Sequence, residues 1–356
     1  MLSPDSLTFL KRLLDAPGPS GFETLASRAW RAEAEKFAER VTSDVAGNCI
    51  AEINPGGSPT ILVDGHLDEI GVIIQYIDDD GFLYISPIGG WDAQVLVGQR
   101  IRILGADGDV FGVIGRKPIH LSKDSDRKRA VKFEELWLDI GAKNRAEAES
   151  RVAVGDPGVI DSRAHDFPNN RIVSRSIDDR IGAFAALEVL RRYAEKPGTA
   201  RLVAAGTTQE EIAWTGGGAL VAANIVRPKM AIVIDVTFAS DHPDIEKKEI
   251  GDHRLGSGPV ISRGALLSPV VIRLLRDAAE RRKIPYTIHA AGRETATNAD
   301  AIHIAQEGVA TALVSIPNRY MHSPNEMVSL DDVDHTVELI VEACRAVNDY
   351  TDFTAR

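Results

Sequence analysis

Residues 60–69 read TILVDGHLDE: an apolar, β-branched run that passes without a break into Asp64, His66, Asp68 and Glu69. Its first four residues, 60–63, read as a strand, and in open α/β sheets ligand-binding groups collect just past the carboxyl ends of strands. The same juxtaposition recurs along the chain. A strand expected at 201–205 is followed by Glu210-Glu211, one at 230–236 carries Asp235 near its end, and one at 312–316 precedes His322. Asp178-Asp179 stands at the start of a helix expected over 180–195.

Working outward, helical spacing marks 23–40, 218–224, 269–283 and 330–348, with Ser329 and Asp332 as a capping pair for the last. An opening helix starts near Ser3 with Pro4 in its first turn. Further strands are expected at 48–53 and 286–289. Alternating strands and helices predict a three-layer α/β/α domain. Between 71 and 164 the texture changes to short apolar runs (GVIIQYI, GFLYISPI, QRIRILG, DVFGVIG, LWLDIGA) separated by Gly- and Asp-rich turns, with one helical stretch at 144–151. That pattern predicts a small inserted β-barrel domain. Residues 1–70 and 165–356 are then expected to form a discontinuous catalytic domain.

A formal net charge of −11 argues against a nucleic-acid partner, and the one dense basic run, Lys123 to Lys132, is diluted by Asp124 and Asp126. No apolar run approaches the length of a membrane span. The two cysteines, Cys49 and Cys344, lie far apart among apolar neighbours and read as buried thiols rather than a disulfide. The expectation is a soluble cytoplasmic protein without membrane attachment.

Taken singly, each polar candidate has a plain structural reading. A histidine after a strand is ordinarily hydrogen-bonded in a loop, and paired acids commonly cap helices. Asp235, within MAIVIDV, is harder to explain, because an uncompensated carboxylate there would be costly. Several buried carboxylates together need positive charge, and Arg180 alone is too little. Divalent metal is the economical source, and imidazole with carboxylate suits zinc. His66 with Asp235 would serve one ion, Glu211 with His322 the other, and Asp178 would bridge them. Asp68 is placed to orient His66. Glu210, left without a metal, is the expected water-activating base.

At PGPSGFE, DVAGN, DGHLDEIG, GRKPIHL, LWLDIGA, SIDDRIGAFAALEVL, TTQEEI, VIDVT and SIPNRYMHSPNEMV the sequence resembles the tetrahedral aminopeptidases, the glutamyl-aminopeptidase-like group of co-catalytic metallopeptidases. The resemblance implies His66, Asp178, Glu211, Asp235 and His322 as ligands of two divalent ions (zinc, with cobalt as an alternative), Asp178 as their bridge, Glu210 as general base and Asp68 as the residue orienting His66. It implies that Asp179 supports the loop, against Arg180. It further implies short peptides with a free N-terminus as substrates, and self-association into dodecameric tetrahedral shells through the β-domain. Two stretches depart from the group's usual pattern: Ala296-Thr297-Asn298-Ala299 where Gly-Thr-Asp-Ala is usual, and Ile212-Ala213-Trp214-Thr215 after the paired glutamates. Both bear on the pocket for the first side chain.

Rival readings are a related amidohydrolase (deacylase or carboxypeptidase-like) and a non-catalytic assembly protein on the same scaffold. The remaining histidines, His120, His165, His242, His253, His289, His303 and His335, read as surface or structural imidazoles. Gly216-Gly217-Gly218 lacks a P-loop context and reads as close backbone packing. Arg293 and Arg319 are candidates either for a substrate carboxylate or for ordinary ion pairs.

Overall fold

The computed structural model describes residues 1–121, 129–212 and 216–354. Most of the basic run and the departure at 213–215 lie outside these residues.

The chain first lays down β1 (Arg40–Ser43), β2 (Cys49–Ile53) and β3 (Thr60–His66). It then forms β4 (Gly71–Ile77), β5 (Leu83–Ile88), β6 (Arg100–Gly105), β7 (Gly108–Gly115), β8 (Trp137–Asp139) and β9 (Pro157–Ile160). There follow β10 (His165–Phe167), β11 (Arg171–Ser174), β12 (Arg201–Thr207), β13 (Met230–Phe238), β14 (Val260–Gly264), β15 (Thr287–Ala291), β16 (Ala310–Asn318) and β17 (Glu326–Ser329). The main sheet has the order β1-β2-β12-β3-β13-β16-β14-β15. Its centre is parallel, β12 to β3, β3 to β13 and β13 to β16. These strands therefore end at one edge, which is where the polar candidates lie. Their interior residues are buried almost throughout, which accounts for continuous apolar runs in place of alternation.

The longer helices are α1 (Pro4–Asp15), α2 (Thr24–Ala34), α3 (Ile177–Glu195), α4 (Gly217–Val226), α5 (Pro269–Arg282) and α6 (Leu330–Arg345). One face of the sheet carries α3, which packs across β3, β12 and β13 and in turn supports α1 and α6. From Ile177 to Leu190 every residue of α3 is buried, and from Ile181 to Leu187 all of them are apolar or glycine, as expected of a helix enclosed on every side. Gly65 permits this approach, since a Cβ there would fall 2.4 Å from the Ala183 backbone nitrogen. The other face carries α4 and the turn Ala299–Ile302. At its start a Cβ on Gly218 would meet Asn48 Oδ1 at 2.2 Å, so the glycine run does serve close packing. The result is the three-layer α/β/α arrangement.

β4 to β9 close a separate barrel in the order β4-β5-β8-β7-β6-β9. Its own core includes Ile74, Leu83, Leu96, Ile101, Ile103 and Leu138, distinct from the core around the sheet. The α/β/α layers with a β-barrel between β3 and β10 are the architecture the sequence predicted. The second helix is shorter than expected, ending at Ala34, and Arg40–Ser43 pairs with β2 as an edge strand instead. Ser329 caps α6 as expected, accepting from the Asp331 amide, but Asp332 accepts from the amides of Gly256 and Gly258 instead. Among the described residues no helix is long and apolar enough to cross a membrane.

Candidate metal centre

His66 is the last residue of β3, and its ring is buried. Its Nδ1 faces two oxygens of Asp68, the backbone carbonyl at 3.2 Å and carboxylate Oδ1 at 3.3 Å. The Asp68 carboxylate also accepts from Ser20 Oγ at 2.5 Å and from the amides of Glu210 and Glu211, both at 3.1 Å. One buried carboxylate thus ties the turn before α2, the end of β3 and the loop after β12 together.

His322, beyond β16, has Nδ1 2.8 Å from the carbonyl oxygen of Gly90, in the segment joining β5 to β6. A carbonyl only accepts, so Nδ1 carries the proton. The barrel side of the chain therefore fixes this ring. Both imidazoles present Nε2 to oxygens. Asp178, at the start of α3, has Oδ1 3.3 Å from His66 Nε2 and Oδ2 3.3 Å from His322 Nε2. Glu211 Oε2 lies 3.3 Å from His322 Nε2, and Glu210 Oε2 lies 3.8 Å from His66 Nε2. Asp235 lies beside His66, with ligand atoms of His66, Asp179 and Asp235 all within 4.8 Å of one another. The same holds for His66, Asp178 and Glu211. All seven residues singled out in the sequence meet around this one centre.

Such a set fits divalent cations. With Nδ1 as the donor in each ring, a neutral Nε2 would turn its lone pair onto carboxylate lone pairs, so positive charge must lie between them. Among the described residues Glu211 Oε1 is buried without a hydrogen-bond partner, a further donor atom for a cation. Without metal, the protons would have to supply that charge. Burial pulls His322 down, yet Asp178 and Glu211 outweigh it and push the ring up to about 11. Burial likewise opposes charge on His66, but Asp68 and Asp178 hold it well above the ordinary range. Burial raises Glu210 to about 9, with Asp235 and Glu211 adding to it against His66. Asp235 is raised well above its usual value by burial and by Asp178. Arg180 offers no relief. It is fully buried on Glu69 at 2.8 Å and on backbone carbonyls, including that of Ala16.

Sequence reasoning did not single out Glu326, and it set Asp179 against Arg180, with which Asp179 does not pair. The Asp179 carboxylate accepts from the His66 amide at 3.2 Å and the Gly182 amide at 3.0 Å. Glu326 accepts from the amides of Asp178 (2.9 Å) and His322 (2.8 Å), linking bridge and ring from behind. Its only sequence signal is its place within SPNEMV. Asn298 donates to Asp64 Oδ2 at 2.7 Å and to Thr207 beneath the centre. Arg319 is engaged by Asp241 at 2.6 Å, an ordinary ion pair. A cleft of about 710 Å³ opens onto the centre, lined by Glu210, Glu211 and His322 and extending to Glu294 and Ile304.

The chain's similarity to known proteins agrees with this architecture. The sequence profile of a family described as M42 glutamyl aminopeptidase matches residues 47–339. A lysyl aminopeptidase of Pyrococcus furiosus is 35% identical over 333 residues, covering 93% of this chain and 94% of that protein. The crystal structure of a TET aminopeptidase from a marine-sediment archaeon of the Thaumarchaeota superposes with a TM-score of 0.92 at 32% identity, covering 97% of each chain. The TET1 peptidase of Pyrococcus horikoshii, which can assemble into a tetrahedron or a large octahedral shell, has a TM-score of 0.84 at 31% identity over 96% of this chain and 100% of that one.

Proposed function

The chain belongs to the M42 glutamyl aminopeptidase family and is a peptide hydrolase, and from that premise we propose that it removes N-terminal residues from short peptides at a pair of divalent cations. His66, Asp178, Glu211, Asp235 and His322 would hold them, with Asp178 shared. The observation that carries this reading is the Asp178 carboxylate, whose two oxygens each lie 3.3 Å from Nε2 of a different histidine. Zinc suits the donor set, with cobalt as an alternative. Two such cations, when bound, acidify a water molecule and polarise a scissile carbonyl.

The chain's own groups do the rest. Glu210 takes the proton of the attacking water on its carboxylate, which lines the cleft, and delivers it to the departing amine. Asp68 holds the Nδ1 proton of His66 and, through the Glu210 and Glu211 amides, keeps the base in register with the imidazole. Gly90 does the same for His322. The free α-amine of a substrate, cationic at neutral pH, meets Glu210 and Glu211 at the cleft wall. Residues 1–70 and 165–356 form the catalytic domain in this reading, and 71–164 an insertion used for self-association; the TET1 relative itself can assemble into a tetrahedron or a large octahedral shell. Both cysteines are free and buried, in keeping with a reducing, cytoplasmic setting. The family name refers to glutamyl and the relative's to lysyl substrates, so neither carries the side-chain preference to this chain.

Purified protein is expected to hydrolyse aminoacyl-anilides with a free amine, to lose activity on chelation and to regain it with zinc or cobalt. Equal cleavage of N-acetylated and free substrates would replace this reading with that of a deacylase.

A further inference from the structure

The cleft beside the candidate centre is built asymmetrically. Its inner end is made by Glu210, Glu211 and His322. Its outer wall carries Ile212 and Ile304, which are 45% and 66% exposed, beside Ala301 and two carboxylates, Glu294 and Asp300. The two acids have different duties. Asp300 Oδ1 accepts from the Thr295 amide at 2.8 Å and the Thr295 hydroxyl at 2.6 Å, and its Oδ2 from the Ala296 amide at 2.9 Å. These bonds come from within the 295–300 loop and close it on itself, so Asp300 is occupied in holding the loop's shape. Glu294 is exposed and, among the described residues, has no ion-pair partner. No lysine or arginine is among the described lining residues.

Resting on the aminopeptidase reading, we propose that this cleft receives the first side chain of the substrate and selects lysine or arginine there, with Glu294 as the specificity-determining carboxylate. A long basic side chain finds partners of both kinds on this wall. Its methylenes lie along Ile212 and Ile304, and its cationic head reaches Glu294. An acidic side chain would meet Glu294, Asp300, Glu210 and Glu211 without a compensating cation on the wall. A short apolar one would leave both isoleucines uncovered. Glu294 is exposed, so the ion pair contributes modestly, about fivefold in relative kcat/KM, the upper range for partly solvated pairs.

The test compares Lys-, Arg-, Leu- and Glu-anilides on metal-replete protein, with calorimetric binding of free lysine and free glutamic acid as a second readout. The expected result is Lys and Arg ahead of Leu, with Glu last. The Lys/Leu ratio should fall about fivefold in E294Q, and the Lys/Glu ratio should move further in E294K. These ratios are taken within each variant, so a general loss of folding or metal does not move them. Preference for Glu or Leu, or ratios that neither substitution shifts, would overturn the assignment. If no free aminoacyl-anilide is cleaved, the aminopeptidase reading fails. The pocket assignment then stands if lysine binds in preference to glutamic acid in a Glu294-dependent way, and falls if it does not.

Discussion

Replacing Glu210 by glutamine keeps the volume and the amide that Asp68 holds, and removes only the atom able to accept a proton. If Glu210 is the general base, kcat should fall by roughly 10²–10⁴-fold while bound metal stays at its original stoichiometry. Elemental analysis alongside kinetics separates this from the alternative, that Glu210 is itself a ligand, in which case metal content falls together with rate. The groups legible in the sequence at this scale were those that break a local pattern. Asp235 stood out because it interrupts a strand of buried aliphatic residues, and His66 because it ends one. Asp179 and Glu326 were not legible in the same way. Each works by accepting backbone N–H groups from residues distant in sequence, such as His66 for Asp179 and Asp178 for Glu326, and a backbone amide leaves no mark in composition. The same holds for Gly90, whose carbonyl orients His322 across 232 residues of chain.

Among elements, strands buried on both faces could be read with the least ambiguity, because nothing but apolar residues fits them. The edges were harder. Helical spacing of Phe37 and Ala38 suggested a helix through Arg40, but both residues pack against the core from a turn, and the chain then pairs with β2. Val260–Gly264 escaped notice because Gly256-Ser257-Gly258-Pro259 runs into it and it holds Ser262, Arg263 and Gly264 itself, as a loop would. The start of α6 shows the limit of a capping rule. Ser329 obeys it, whereas Asp332 is drawn away to hold the turn at Gly256 and Gly258, each at 2.7 Å. Burial raises Asp332 to about 7, against the pull of those two amides. A carboxyl whose proton is held more tightly in the folded chain stabilises most at low pH. Its contribution is full below the unfolded value of 3.8 and is lost as pH rises through about 7. Relative to Asp332→Asn, the wild-type chain should therefore lose stability between those limits, on the order of 3–4 kcal/mol, and stay level above them. Urea midpoints of both proteins at pH 5 and pH 8 report the difference. A difference of the opposite slope would mean that the two amides outweigh burial.

For the molecule as a whole, the barrel was legible as a change of rhythm, and its outer surface now poses a separate question. On β7, Phe111 and Val113 point outward together, 56% and 47% exposed, and Ile119 and Leu121 follow at 59% and 70%. Exposed aliphatic and aromatic groups in such proximity are unusual on a surface that meets only water. The proposed self-association gives them an occupant, a second copy of the chain. Each copy carries a net charge of −11, so like-charge repulsion opposes the contact while apolar burial favours it. Salt screens the first and leaves the second, which fixes the sign of the dependence. Light scattering behind a sizing column should give a mass several times that of the chain, rising or holding as ionic strength goes from about 0.01 M to about 0.5 M, where the screening length falls from roughly 30 Å to a few ångströms. The double variant F111D/V113D should elute as a smaller species that still cleaves short aminoacyl-anilides. Both residues lie on the barrel and neither lines the cleft. Assemblies that dissolve on adding salt would instead point to intersubunit ion pairs, and an unchanged mass in the double variant would move the contact to another face of the molecule.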